Sequence, residues 1–342
     1  MTDVLIRTEG RAGRITLNRP DALNALNYPM CLAIDAALHD WQDDPQVALV
    51  LIDAAGDRAF CAGGDIAELY ARGIAGDHAY GQQFWRDEYR MNAHIAAYPK
   101  PVVTLMQGFT MGGGVGLGCH ASYRIVGETS QIALPECGIG LVPDVGSSAL
   151  LARAPGHLGA YLGTTGARMG PGDAVYAGFA DAFVPRANWP DMTARLIATG
   201  DAHIPAHPAP AARLADLRAQ IDLHFNAPTL AAITASLQAG LPFCADTLRQ
   251  LARIAPLAGA CTIAMQRRLG PGPRLHDALE LEYRFTHRAQ AQGDFLEGIR
   301  AAIIDRDRTP RWRYPEGAPE AEIAAMLAPL GPDTITFPET HS

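Results

Sequence analysis

The sequence predicts an α/β fold followed by an all-helical C-terminal region. Apolar runs of strand length alternate with helical periodicity as far as Val184, the pattern of helices layered on a largely parallel sheet. Prolines then break the chain at His203-Ile204-Pro205-Ala206-His207-Pro208-Ala209-Pro210, as a linker does. From Ala211 to about Ile304 the patterns are helical, with no convincing strand. Three parts are expected: a core over 1–200, a helical region over 201–309 and a peripheral Pro-, Glu- and Ala-rich tail over 310–342.

The 342 residues suit one large domain or two. A net charge of −8 argues against a nucleic-acid surface, which needs clustered Lys and Arg. Lys100 is the only lysine; the bias toward Arg and Ala suggests a bacterial genome of high GC content. The six cysteines show no C-x-x-C spacing and are expected to be buried, reduced thiols of a cytoplasmic protein. The first residues lack a signal-peptide pattern. No stretch approaches the roughly 18 apolar residues of a membrane span, so no membrane partner is expected.

In chain order, Val4–Thr8 and Arg14–Leu17 read as paired strands around a glycine-containing turn. Asn18–Leu26 follows as a loop, and Pro29 suits the first turn of a helix ending near Trp41. Ala48–Ile52 reads as a buried strand. In Ala59-Phe60-Cys61-Ala62-Gly63-Gly64-Asp65-Ile66-Ala67-Glu68, Asp65 followed by Glu68 predicts a capping box. Gly63-Gly64 ahead of a helix start is a possible N–H donor site. Tyr80–Ala97 reads as a long helix with Glu88, Phe84 and Asn92 on one face. By itself, a helical Glu is expected in solvent.

The most informative stretch is 100–150. Strand-like Pro101–Met106 leads into Met111-Gly112-Gly113-Gly114-Val115-Gly116, and Val115–His120 reads as helix. Glycine there costs roughly 1 kcal/mol per helical site. Two returns are open: backbone N–H groups approaching a ligand oxygen, or a helix packed closely on a strand. Downstream, Glu136 and Asp144 share a tight loop. An N–H cradle beside two carboxylates suggests chemistry at an acyl carbonyl. Taken locally, Asp144 is an N-cap for a helix over Val145–Arg153. Short helices over Gly156–Leu162 and Pro171–Tyr176 and a strand over Phe179–Val184 complete this half.

Other chemistries find no support. Gly116-Leu117-Gly118-Cys119-His120-Ala121 matches G-x-G-x-x-A, but inside the helix rather than at the strand-to-helix turn that a dinucleotide needs. There is no Walker A sequence, no G-x-S-x-G elbow and no zinc-spaced His/Cys set. His203 and His207 are separated by Pro205, so a helical metal pair is not expected. The expectation is metal-free, cofactor-free carboxylate chemistry.

Five blocks, in order and spacing, resemble the crotonase (enoyl-CoA hydratase/isomerase) superfamily: Asn18-Arg19-Pro20 with Ala22–Leu26, Ala59–Ile66, Lys100-Pro101-Val102-Val103, Gly112-Gly113-Gly114, and Pro135-Glu136 with Gly138-Ile139-Gly140. The resemblance implies a crotonase-like spiral of ββα units, a C-terminal helical region and an acyl-CoA substrate. Phe84–Tyr89, Gly108–Leu117, Pro135–Gly146 and Asp294–Trp312 look most like its 3-hydroxyisobutyryl-CoA hydrolase branch, which serves valine catabolism. Where hydratases of the family carry a catalytic Glu just after the triple glycine, this chain has Gly116; the second hydratase Glu matches at Glu136.

The resemblance thus implies a thioester hydrolase. Gly64 and Gly113 would form the oxyanion hole, and Leu23, Ala62, Gly63, Asp65 and Ile66 would hold CoA. Glu136 would serve as nucleophile or as general base, Asp144 would steer water or bind the 3-hydroxyl, and Glu88 would help hold that hydroxyl. Gly113, Glu88, Glu136 and Asp144 would thus contact the acyl group. CoA is part of the substrate, so no separate cofactor is expected. A trimer or hexamer is expected as the assembly. Two alternatives stay open: an enoyl-CoA hydratase/isomerase, or a weakly catalytic acyl-CoA-binding member.

Overall fold

A computed structural model describes residues 2–205, 207–240 and 242–337. The N-terminal hairpin pairs β1 (Val4–Glu9) with β2 (Ala12–Leu17) antiparallel. Helix α1 (Tyr28–Gln42) starts with Pro29 in its first turn and with the Asn27 side chain accepting from the Met30 N–H. Its last carbonyls are met by the lone lysine: Lys100 Nζ donates to Trp41 O and Asp44 O at 2.5 and 2.6 Å. A cation suits that negative helix end.

A repeat of two strands and a helix or turn then follows. Strand β3 (Leu49–Ala54) leads to β4 (Ala59–Cys61) and helices α2 (Ile66–Ile74) and α3 (His78–Ala96). Strand β5 (Val102–Met106) leads to β6 (Phe109–Met111) and the short helix α4 (Gly113–Gly118). Strand β7 (Tyr123–Val126) leads to β8 (Gln131–Ala133) and the 3₁₀ turn Glu136–Ile139. The first strand of each unit enters a six-stranded sheet, β1-β2-β3-β5-β7-β9, closed by β9 (Ala182–Phe183). The second strands stack in a three-stranded sheet, β4-β6-β8. Pairing is parallel throughout except between β1 and β2. This is the ββα spiral.

The strands of the large sheet serve two cores. Val50 and Ile52 face the main core, while Leu49 and Leu51 face a second one; Val102 and Met106 divide from Val103 and Leu105 in the same way. The period of two along a strand explains the split. The second core is covered by Trp189, Met192 and Leu196 of the helix Trp189–Thr199. Continuous apolar strand sequences are what a parallel sheet buried on both faces requires.

The chain beyond the linker is helical, as the sequence predicts, and it packs back on the spiral. On the helix Leu275–Gln292, Tyr283 donates to Gln82 O and Gln290 Nε2 donates to Leu69 O. The tail, expected at the periphery, is anchored: Met326, Leu327 and Ile335 are buried, and Arg288 donates to Met326 O and Ala328 O. Among the described residues, no helix is long and apolar enough to cross a membrane.

The glycines of α4 show why the spiral closes tightly. A Cβ on Gly114 would lie 2.2 Å from Cys61 O of β4, and one on Gly118 would lie 2.6 Å from Met106 Sδ. The close-packing reading therefore holds for these two positions. Gly114→Ala, forced against backbone, is expected to lose about 1–3 kcal/mol, read as a lower urea midpoint. Gly170→Ala, with open space at the Cβ, should stay within about 0.5 kcal/mol.

Candidate active site

Turns at the edge of the small sheet bring three carboxyl groups and two free N–H groups to one cavity. Gly112, at φ +48, ends β6 and begins α4, so the N–H of Gly113 points out of the helix start. Residues 23–26 run alongside residues 62–65: Ala62 N donates to Leu23 O, Leu26 N to Gly63 O, and Asp65 N to Leu26 O, at 2.8–3.0 Å. This pairing uses the N–H groups of Ala62 and Asp65 but not that of Gly64. Among the described residues, no protein acceptor takes the N–H of Gly64 or Gly113. They lie together: a Cβ on Gly113 would be 3.5 Å from Gly64 N and 2.7 Å from Glu88 Oε1.

Glu88 on α3, Glu136 on the 3₁₀ turn and Asp144 line this cavity, each only 4% exposed. Ala62, Gly63, Gly64, Ile66 and Gly113 line it too; Leu23 and Asp65 lie outside the lining. The cavity holds about 100 Å³, several times the roughly 10–15 Å³ that one water needs. That fits a small acyl group and excludes a whole CoA. A larger cavity of about 780 Å³ lies among the C-terminal helices, but its carboxylates, Glu316 and Glu320, are exposed.

The electrostatics are those of crowded, dry acids. The lining holds no Arg, Lys or His. Both oxygens of Glu136 and Oε1 of Glu88 are buried without a partner among the described residues. Burial raises the Glu136 and Glu88 carboxyls well above the usual range, and the nearby Asp144 charge raises both further. Burial also pushes Asp144 up to about 7, against the pull of its bond from Tyr89. Asp144 can therefore keep or give up a proton near neutral pH, as acid–base work requires, while burial pushes both glutamates toward the neutral form.

Two local expectations fail for one reason. Asp65 makes no side-chain cap to α2; its carboxylate pairs with Arg19 at 2.9 Å. Asp144 does not cap the helix α5 (Ser147–Arg153), whose N-cap is Gly146. Its Oδ2 instead accepts from Tyr89 OH at 2.8 Å. In both cases a distant side chain offers the carboxylate a better donor than its own helix does. Helix α4 also runs Gly113–Gly118, beginning two residues before the predicted Val115 and ending two before His120.

Gly116 has a structural reason as well. A Cβ there would lie 2.7–2.9 Å from the amide of Asn92, which is fully buried with both amide atoms unpartnered among the described residues. The amide thus occupies the space a side chain at 116 would need.

Sequence reasoning gave no role to Tyr89, Phe295, Asn92, Glu282 or His120. Phe295 lines the cavity and packs on Trp85, ring centroids 5.6 Å apart. Its pairing joins parts of the chain 210 residues apart, and no local pattern could reveal it. His120 Nε2 faces Val145 O at 2.8 Å, and burial lowers its pKa to about 4, so it is a neutral donor to the loop. Val145 stands at φ +57, rare for a β-branched residue and costing of order 1–3 kcal/mol. Outside the cavity, Asp35, His39 and His94 lie near enough to one another to ligate a metal. The six cysteines are free and buried.

Comparison with known proteins follows the same lines. The enoyl-CoA hydratase/isomerase family profile matches residues 12–327. A Gallus gallus protein described as mitochondrial 3-hydroxyisobutyryl-CoA hydrolase is 37% identical over 329 residues, 91% of this chain and 84% of its own. The Homo sapiens protein of that description is 34% identical with the same coverage. A solved structure described as an enoyl-CoA hydratase from Rhodobacter sphaeroides superposes with TM-score 0.96 at 64% identity, covering 98% of this chain and 100% of that one. One described as a carnitinyl-CoA dehydratase from Mycobacterium thermoresistibile gives 0.93 at 40%, covering 99% of each.

An acid whose folded pKa is raised lowers stability as pH climbs from its unfolded value to its folded one. For Asp144 that window runs from about 4 to about 7. Asp144→Asn should therefore be more stable than wild type at pH 8, by about 2–4 kcal/mol, and nearly equal to it at pH 4. Thermal melts across that range check this; a pH-independent difference would contradict it.

Proposed function

Because the chain belongs to the enoyl-CoA hydratase/isomerase family, whose members act on acyl-CoA thioesters, we propose that it is an acyl-CoA thioester hydrolase, with 3-hydroxyisobutyryl-CoA as substrate. One observation carries the reading: Glu136 and Asp144 face the paired free N–H groups, while the space beside Gly116 is filled by the Asn92 amide rather than by a further carboxylate. The relatives described as 3-hydroxyisobutyryl-CoA hydrolases support it.

In this reading the thioester oxygen sits between Gly64 N and Gly113 N. Such donors stabilise the oxyanion as it forms, each worth about 10²–10³ in rate. Residues 62–66 and Leu23 hold CoA at the mouth. Glu136 either adds to the carbonyl carbon, expelling the CoA thiolate and leaving an anhydride for water to open, or takes a proton from the water that adds. Asp144 steers that water. Glu88, pushed toward its neutral form by burial, can in that form donate to and accept from a 3-hydroxyl without the cost of burying a charge. The small cavity admits a short acyl chain. One methyl fewer, as in 3-hydroxypropionyl-CoA, changes the preference by only about 1–3 kcal/mol.

A second reading is favoured by the Rhodobacter sphaeroides structure described as an enoyl-CoA hydratase. Thiol release from a panel of acyl-CoAs, with crotonyl-CoA absorbance followed in parallel, separates the two. Fast CoA release from 3-hydroxyisobutyryl-CoA is expected; loss of enoyl absorbance without thiol release would sink the hydrolase reading. Glu136→Gln should abolish release and leave CoA binding nearly intact.

The catalytic carboxylate must be ionised, and its folded pKa is raised. The rate should therefore climb with pH through a limb displaced above the usual carboxylate range, because burial and the Asp144 charge raise the Glu136 carboxyl, measured as kcat/KM from pH 4 to 9. In a single turnover in ¹⁸O-water, an anhydride that water opens at the Glu136 carbonyl leaves the first acid product unlabelled and puts the label in Glu136, whereas water activation labels the product.

A further inference from the structure

Helix α5 starts directly after the loop that carries Asp144, and its N-terminus has no local side-chain cap. Its N–H groups are met from 134–136 residues downstream. Glu282, fully buried on the helix Leu275–Gln292, accepts from Gly146 N at 2.6 Å and from Ser148 N at 2.8 Å, and the Ser148 hydroxyl bonds the same carboxylate. An acid so buried and without a cation is costly to keep. Here it is held by donors at a helix N-terminus, where negative charge is favoured.

The segment it grips is the least relaxed part of the loop. Val145 and Gly146 both have positive φ, +57 and +82. A Cβ on Gly146 would meet Leu275 at 2.5 Å and His120 Nε2 at 2.7 Å, so glycine is required there. His120 holds Val145 O from the other side. One turn beyond Glu282, Thr286 lies 3.3 Å from Tyr89 OH, the group that donates to Asp144. The same helix therefore braces Asp144 twice, through its backbone and through its hydrogen-bond donor.

We propose that Glu282 is a positioning residue for Asp144: by capping α5 from a distant helix, it replaces the cap that Asp144 would make locally, holds the strained Val145-Gly146 turn, and leaves the Asp144 carboxylate facing the acyl cavity. Local chemistry makes the alternative clear. Without Glu282, the bare N–H groups of Gly146 and Ser148 lie two and four residues from an Asp, a favoured N-cap residue. Release of the turn would let that Asp swing onto its own helix and leave the site.

The proposal rests on the role given to Asp144 above, and the experiment separates the two. In Glu282→Gln one carboxylate oxygen becomes an amide that cannot accept from the backbone. The expected result is a fall in kcat of about 10- to 100-fold, as for a misplacement of roughly an ångström, with CoA affinity within about twofold of wild type. In an Asp144→Asn background, assayed by single turnover with enzyme in excess, the same substitution should cost almost nothing further, because residues acting through one group are not additive. Hydrogen exchange of amides 145–148 should rise in Glu282→Gln while the sheet stays protected. Should Glu282→Gln fail to fold, Ser148→Ala removes only the hydroxyl donor and should give the same pattern at smaller amplitude. Unchanged kcat, an equal loss in the Asp144→Asn background, or unchanged exchange at 145–148 would each overturn the proposal. A wild-type protein that releases no thiol would overturn the hydrolase reading instead, and the exchange arm would still test the clamp.

Discussion

Three carboxyl groups in one small cavity with no cation in its lining is the constraint around which this molecule is built. Water would dissolve the problem by ionising and hydrating each group. The fold instead dries them, which raises their proton affinity, and it sets them beside two N–H groups that want a negative oxygen. The energy so stored is useful only while the acids cannot escape to better partners. Most of the surrounding structure serves that confinement. Tyr89 holds Asp144, Gly113 leaves room for Glu88, and Phe84, Trp85 and Phe295 wall the cavity with apolar surface.

The glycines divide the labour. Gly114 and Gly118 let α4 approach β4 and β5 more closely than any Cβ allows, and that contact fixes where the helix begins. Gly112, at positive φ, turns the chain so that the N–H of Gly113 faces the cavity. Gly116 leaves space for the Asn92 amide. Packing and donor geometry are therefore not rival explanations of the glycine stretch: the packing places the donor.

The helical region after the linker completes the site rather than merely accompanying it. Phe295 closes one wall, and the helix Leu275–Gln292 reaches the Asp144 loop through Glu282 and Thr286. A buried carboxyl held by three hydrogen bonds tolerates little movement, because any bond lost leaves a buried polar atom unsatisfied. The two halves of the chain are coupled at the loop where chemistry is proposed to occur.

Much was legible in the sequence because it was local or repeated. Alternating strand and helix patterns marked the α/β layering, prolines marked the linker, and the blocks around Gly64, Gly113 and Glu136 marked the family and, with it, the spiral. What failed was local in a different way. Asp65 and Asp144 have the chemistry of helix caps, and their neighbouring residues form helices, yet Arg19 and Tyr89 outbid those helices for their oxygens. A sequence states which donors are nearby along the chain; it does not state which distant donors the fold delivers. Gly116 was notable in the sequence for the carboxylate it lacks, and only the tertiary structure showed the Asn92 amide standing in that space. The sequence by itself determined the α/β layering, the helical region and the acids available, since these follow from periodicity and residue type; the spiral entered only through the family resemblance. Tertiary structure alone decided which acids stay free to face the cavity, because Asp144 is held by a partner 55 residues away rather than by its own helix, and burial makes a partner's position count for more than its proximity in the chain.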